Sequence, residues 1–99
     1  MERGGCVYIM TNKRQSVLYT GITSDIVART RDHKNRVHPG SFTDRYNCDR
    51  LVYHCFYPHI EEAITAEKAI KGGNRKSKEA LINSMNPQWK DLYDELLVQ

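Results

Sequence analysis

Apolar and polar positions divide the chain into segments of two different periods. Gly5-Cys6-Val7-Tyr8-Ile9-Met10 is rich in β-branched and aromatic residues and reads as a strand. Polar residues Thr11 to Ser16 follow, and Val17-Leu18-Tyr19-Thr20-Gly21-Ile22 reads as a second strand. So short a connection predicts an antiparallel hairpin. In both strands apolar side chains fall on both parities, which predicts a sheet covered on both faces. Thr23-Ser24-Asp25 offers N-cap candidates for a helix from about Asp25 to Arg36. Its inward stripe reads as Ile26, Thr30 and Val37, with Val27 beside it. A loop containing His38-Pro39-Gly40-Ser41 leads to a third strand, Arg50 to Tyr57, which Pro58 ends.

The second half is helical in period. From His59 to Lys71, Ile60, Ala63, Ile64 and Ile70 line one side, and Gly72-Gly73 stops the segment. Lys76 to Met85 and about Pro87 to Leu97 read as two more helices, the last opening with Asn86 as cap and Pro87 at the first helical position. The order ββαβααα predicts an α+β fold: a small three-stranded antiparallel sheet flanked by helices. Ninety-nine residues support one hydrophobic core, so residues 1–99 read as a single domain with its core at about 5–92.

Composition narrows the class without assigning a function. Apolar residues make up 39% and charged residues 27%, ordinary for a soluble globular chain. No apolar run approaches the roughly 20 residues of a membrane span, and Met1-Glu2-Arg3-Gly4-Gly5 lacks the pattern of a secretory leader. Three cysteines, Cys6, Cys48 and Cys55, are too few for a disulfide framework. The expectation is a cytoplasmic protein with no membrane partner. Cys48, Cys55 and His59 lack the close paired spacing of structural zinc. The net charge of +3 is modest. Many of the basic residues fall in four clusters: Lys13-Arg14, Arg29-Thr30-Arg31, His33 to Arg36, and Lys71 to Lys78. Acids gather in Asp91, Asp94 and Glu95. Charge runs of this kind are most simply solvated surface, and that reading suffices for Arg31 and Lys34.

Some polar residues stand where apolar ones belong. Glu67 lies three residues after Ile64 and three before Ile70, inside the apolar stripe. A carboxylate there needs a cation, a metal or a hydrogen-bonding site, and Lys71 four residues on is the simplest partner. Glu61 and Glu62 fall off the stripe and suit the helix N-terminus. Arg29 and His33 are four apart and project from one side of the first helix. Tyr8 and Tyr19 are mid-strand phenols, each unremarkable alone. Together, two phenols, a guanidinium, an imidazole and an inward carboxylate are groups suited to handling a phosphate with a divalent ion.

The order of these residues resembles the GIY-YIG nuclease superfamily. Cys6-Val7-Tyr8 and Tyr19-Thr20-Gly21 resemble its two triplets, and Arg29-x-x-x-His33 follows as in that family. Glu62-Ala63-Ile64-Thr65-Ala66-Glu67-Lys68 looks like its metal-binding helix. Asn86-Pro87-Gln88-Trp89-Lys90-Asp91-Leu92 resembles the closing motif of its small stand-alone bacterial members. The resemblance implies a metal-dependent endonuclease that hydrolyses phosphodiester bonds, of DNA rather than RNA, with single-stranded or structured substrates favoured by the lack of a second recognition domain. Glu67 would hold Mg²⁺ or Mn²⁺, and Arg29 would pair with the scissile phosphate. Tyr8 would take the proton of the attacking water, Tyr19 would orient, and His33 would relay or donate a hydrogen bond. Asn86 would bind the phosphate region or brace the site.

Cys6 and Thr20 depart from the family's glycine and isoleucine without removing a catalytic side chain. Some relatives carry lysine three residues after the second tyrosine, and here that position is Ile22. Its loss leaves open a catalytically silent nucleic-acid-binding module of the same fold, and, further off, a small protein-interaction domain. Tyr53, Phe56 and Tyr57 offer rings for stacking.

Overall fold

The computed structural model describes residues 4–98; Met1, Glu2 and Arg3, part of the stretch read for a leader, lie outside the described residues, as does Gln99. Strands β1 (Gly5–Thr11), β2 (Leu18–Thr23) and β3 (Arg50–Tyr57) form an antiparallel sheet in the order β2-β1-β3. Helices α1 (Ile26–Lys34), α2 (Phe42–Arg45), α3 (Ile60–Gly72), α4 (Arg75–Met85) and α5 (Tyr93–Leu97) flank it. The α+β architecture is the one the pattern predicts. The single turn α2 is additional: Ser41 Oγ accepts from the Asp44 amide at 3.3 Å and caps it within the expected loop. Among the described residues, no helix is long and apolar enough to cross a membrane.

Strand β1 is central and buried along its whole length. Its alternate residues feed two cores. Tyr8 and Met10 pack with Cys48, Leu51 and Leu92 on one face, where Ile26 of α1 and Leu96 of α5 also pack. Ile9 packs with Val52 and Ile82 on the other, under Ile70 and Trp89. Burial of each large aliphatic side chain stabilises the fold by about 1.5–3 kcal/mol, so both faces contribute to stability. Gly5 allows α3 to approach β1, since a Cβ there would lie 2.7 Å from Ile60 Cδ1 and 3.0 Å from Ala63 Cβ.

The β1–β3 register shifts between Ile9 and Met10, which face Tyr53 and Leu51 respectively. This bulge turns Leu51 to one core and Tyr53 to the other. Its backbone groups are met by the chain after α4. The Asn86 amide donates to Val52 O at 3.1 Å, Leu92 N to Leu51 O at 2.7 Å, and Leu51 N to Asp91 Oδ1 at 3.2 Å.

Here the helix expected from Pro87 is corrected. Residues 86–92 serve the bulge of β3, Trp89 sits at φ 55°, and α5 begins only at Tyr93. Two inward positions are corrected as well. Val37 is exposed because α1 ends at Lys34 and Arg36, at φ 53°, turns the chain away; His33 takes the inward place. Ile64 is exposed because the inner row of α3 runs Ile60, Ala63, Glu67, Ile70, with steps of three, four and three. Lys34 is no solvated charge either: its ammonium pairs with Asp91 and donates to Asp49 O at 2.9 Å, tying α1 to the C-terminal segment.

Candidate active site

Tyr8 lies on the central strand opposite Gly21 of the edge strand β2. A Cβ on Gly21 would come within 2.5 Å of the Tyr8 Cζ and hydroxyl. The phenol therefore crosses the edge strand where that strand has no side chain. The ring is 1% exposed. Its hydroxyl lies 3.0 Å from Nε2 of His33, on the inner face of α1. Tyr19, also on β2 and half-buried, completes a triangle of rings: its centroid is 6.3 Å from Tyr8 and 5.8 Å from His33.

Asp25 starts α1 by accepting from Ala28 N at 3.0 Å, which phases the helix so that Thr30 and His33 face inward. Nδ1 of His33 lies 3.0 Å from Thr43 Oγ1, and Thr43 is itself buried on α2. The imidazole is thus held at both nitrogens. Burial pushes its pKa below the usual 6.5, and the charges of Arg29 and His38 add to that, with Asp32 opposing. A neutral ring held between two hydroxyls donates from one nitrogen and accepts at the other. Burial likewise drives the Tyr8 phenol well above its usual 10; Tyr19 reinforces the rise, Arg29 opposes it, and Glu67 adds the smallest contribution.

Arg29, half-buried one turn before His33, acts on both Tyr8 and His33. Glu67, at 14% exposure on α3, acts on Tyr8 only as the weakest of the charges that raise its pKa, and its carboxylate lies 3.3 Å from Lys71 Nζ. Tyr8, Tyr19, Arg29 and His33 are therefore brought together on one side of the sheet, whereas Glu67 comes from α3, which packs on the Ile9 face. Asn86 is engaged elsewhere: Nδ2 donates to Val52 O and to Lys90 O at 2.7 Å, and Oδ1 accepts from Lys90 N at 3.0 Å. Both amide hydrogens are committed to backbone, so of its two expected roles the geometry is that of a brace.

Among the described residues, no group of three His, Cys, Asp or Glu side chains could hold a metal. A lone carboxylate does fit a hard ion of the Mg²⁺ type, which keeps most of its waters and takes phosphate oxygens as ligands. Lys71 is more exposed than Glu67 and can swing aside into water.

Four further residues contribute to this region. Thr43 falls in a loop by pattern, although Ser41-Phe42-Thr43-Asp44 carries a capping signal. Gly21 stands in a motif whose sequence does not reveal that it is the gap for the Tyr8 ring. Phe42 and Tyr46, at the start and just past the end of α2, are exposed rings in tilted contact. Of the rings expected to stack, Phe56 is exposed, while Tyr53 packs on the second core.

Residues 4–80 match the GIY-YIG catalytic domain, a span that includes Tyr8, Tyr19, Arg29, His33 and Glu67 and stops before Asn86. The chain is also similar to the solution NMR structure of the UPF0213 protein BH0048 from Bacillus halodurans. The two share 30% identity with a TM-score of 0.57, over 89% of this chain and 92% of that one. No curated protein matches.

Proposed function

Since the chain belongs to the GIY-YIG family, a nuclease-type superfamily, we propose that it is a metal-dependent endonuclease cutting DNA, with single-stranded or branched DNA as substrate. The observation that carries this reading is the buried Tyr8–His33 hydrogen bond set beside the Arg29 guanidinium. A phenol whose pKa lies above its free value is a poor base unless its proton has a destination. Neutral His33 supplies one. In the productive tautomer Nδ1–H donates to Thr43 and Nε2 accepts from Tyr8. As water attacks phosphorus, its proton passes to the Tyr8 oxygen while the Tyr8 proton passes to Nε2.

Arg29 binds the scissile phosphate and offsets its developing charge. Tyr19, the more exposed phenol, orients the water or a phosphate oxygen. Glu67 would hold Mg²⁺ or Mn²⁺ through a carboxylate oxygen, and the bound ion supplies polarisation of the phosphate and charge neutralisation at the leaving oxygen.

The test is a gel assay across single-stranded, duplex and branched DNA with and without Mg²⁺ or Mn²⁺. Glu67→Ala and Arg29→Ala are each expected to lower cleavage about 100-fold or more while leaving the fold intact. Undiminished cutting by pure Glu67→Ala protein removes the mechanism. Binding without cleavage under any divalent ion would instead assign the silent binding module. Ile22 at the lysine position and the raised Tyr8 pKa favour that second reading.

A further inference from the structure

The loop that closes on His33 carries two rings that the hydrolytic chemistry does not use. Phe42 and Tyr46 are 43% and 41% exposed, large values for such side chains. Their centroids are 4.7 Å apart, and Phe42 lies 5.7 Å from the Tyr19 ring. A series of aromatic rings thus runs from the buried Tyr8 through Tyr19 and Phe42 to Tyr46 at the surface. The guanidinium of Arg45 stands 5.6 Å from the Tyr46 centroid and adds positive charge at the outer end.

The support beneath these rings is specific. Asp44 accepts from Gly40 N at 2.9 Å and from Arg36 Nη1 at 3.1 Å, and Arg36 Nη2 donates to Asn47 Oδ1 at 2.6 Å. On the inner side Thr43 is fastened to His33. The same short segment therefore fixes the catalytic imidazole inward and presents two rings outward.

We propose that Phe42 and Tyr46 form a stacking platform for one or two unpaired bases of the strand whose phosphate lies at Arg29. This rests on the reading of the site as a phosphodiesterase and gives it a substrate class: single-stranded DNA, or an unpaired flap. Base faces in a continuous duplex are already covered by their neighbours, whereas an unpaired strand offers them to a π-surface. Arg45 suits the backbone of such a strand by charge. Continuity with the Tyr19 ring places the bases next to the reacting phosphate.

The experiment measures fluorescence anisotropy of a labelled ten-nucleotide dT strand and an abasic deoxyribose-phosphate strand of equal length, both in EDTA at low salt. Wild-type protein is expected to bind dT about tenfold more tightly than the abasic strand. Tyr46→Ala and Phe42→Leu should each lose most of that preference, leaving the abasic affinity unchanged. Phe42→Leu keeps apolar packing on Tyr19, and Tyr46→Phe should retain the preference, since the ring and not the hydroxyl is used. Equal wild-type affinity for the two strands overturns the platform, as do variants that weaken both strands by one factor. If metal-dependent cleavage persists in either case, the platform alone falls. If wild-type protein neither binds nor cuts DNA of any form, the platform and the phosphodiesterase reading fall together.

Discussion

Gly21 owes its place to the tyrosine on the neighbouring strand. Any Cβ at that position meets the Tyr8 hydroxyl end at 2.5 Å, so Gly21→Ala must push the phenol off His33. Cleavage is expected to fall about 100-fold, the range ascribed to a positioned acid–base group. Gel kinetics with thermal unfolding would check it, and wild-type rates in a folded Gly21→Ala protein would refute the placement. Thr43 acts on the same imidazole from the other side. Thr43→Val leaves Nδ1 without its partner and the tautomer unspecified, at a stability cost of about 1–3 kcal/mol for the orphaned buried group. A drop in kcat of about tenfold is expected, with Thr43→Ser restoring it. If serine rescues stability but not rate, the hydroxyl has only a structural role.

Among the elements, the segment after α4 shows how tertiary demand overrides a local signal. Asn86-Pro87 reads as the start of a helix, yet Asn86 instead satisfies Val52 O at the bulge and both ends of Lys90's backbone. Asn86→Ala removes three hydrogen bonds at a buried site. It is expected to lower stability by about 2–4 kcal/mol, and to change kcat little at temperatures where the protein stays folded. Urea denaturation alongside cleavage assays measures both. A large rate loss in a protein of wild-type stability would return Asn86 to the phosphate. Helix α3 teaches the converse: periodicity located Glu67 on the inner face correctly, and erred only on Ile64 at its flank.

At the scale of the molecule, burial of neutral imidazoles links stability to pH. Burial lowers the pKa of both His33 and His54 from the usual 6.5; for His54 the field of Glu95 opposes the shift. Below about 6.5 the unfolded chain therefore binds protons that the folded chain refuses, so the folded state loses stability as pH falls through that value. Above it both states are neutral there and the contribution is flat. The urea midpoint is expected to drop between pH 7.5 and 5.5, and the drop should shrink in His54→Gln. A midpoint that rises on acidification would contradict the burial of these rings. The basic clusters also change meaning at this scale. Arg36 holds the α2 loop, Lys34 pairs with Asp91, and Arg75 pairs with Glu79 at 2.9 Å and donates to Ser16 O at 3.0 Å. Charges that look available along the chain are partly spent on the fold.

The sequence alone determined the strands, the first, third and fourth helices, and the pairing of Arg29 with His33 on one side of the first helix, because period, caps and residue chemistry are local properties. Only the tertiary structure decided that His33 is clamped between Tyr8 and Thr43, that Gly21 makes room for a ring from the next strand, and that residues 86–92 serve a bulge and do not coil. Each of these depends on a backbone group or an unoccupied space supplied by a distant segment, and no local pattern of apolar and polar residues records which segment that will be.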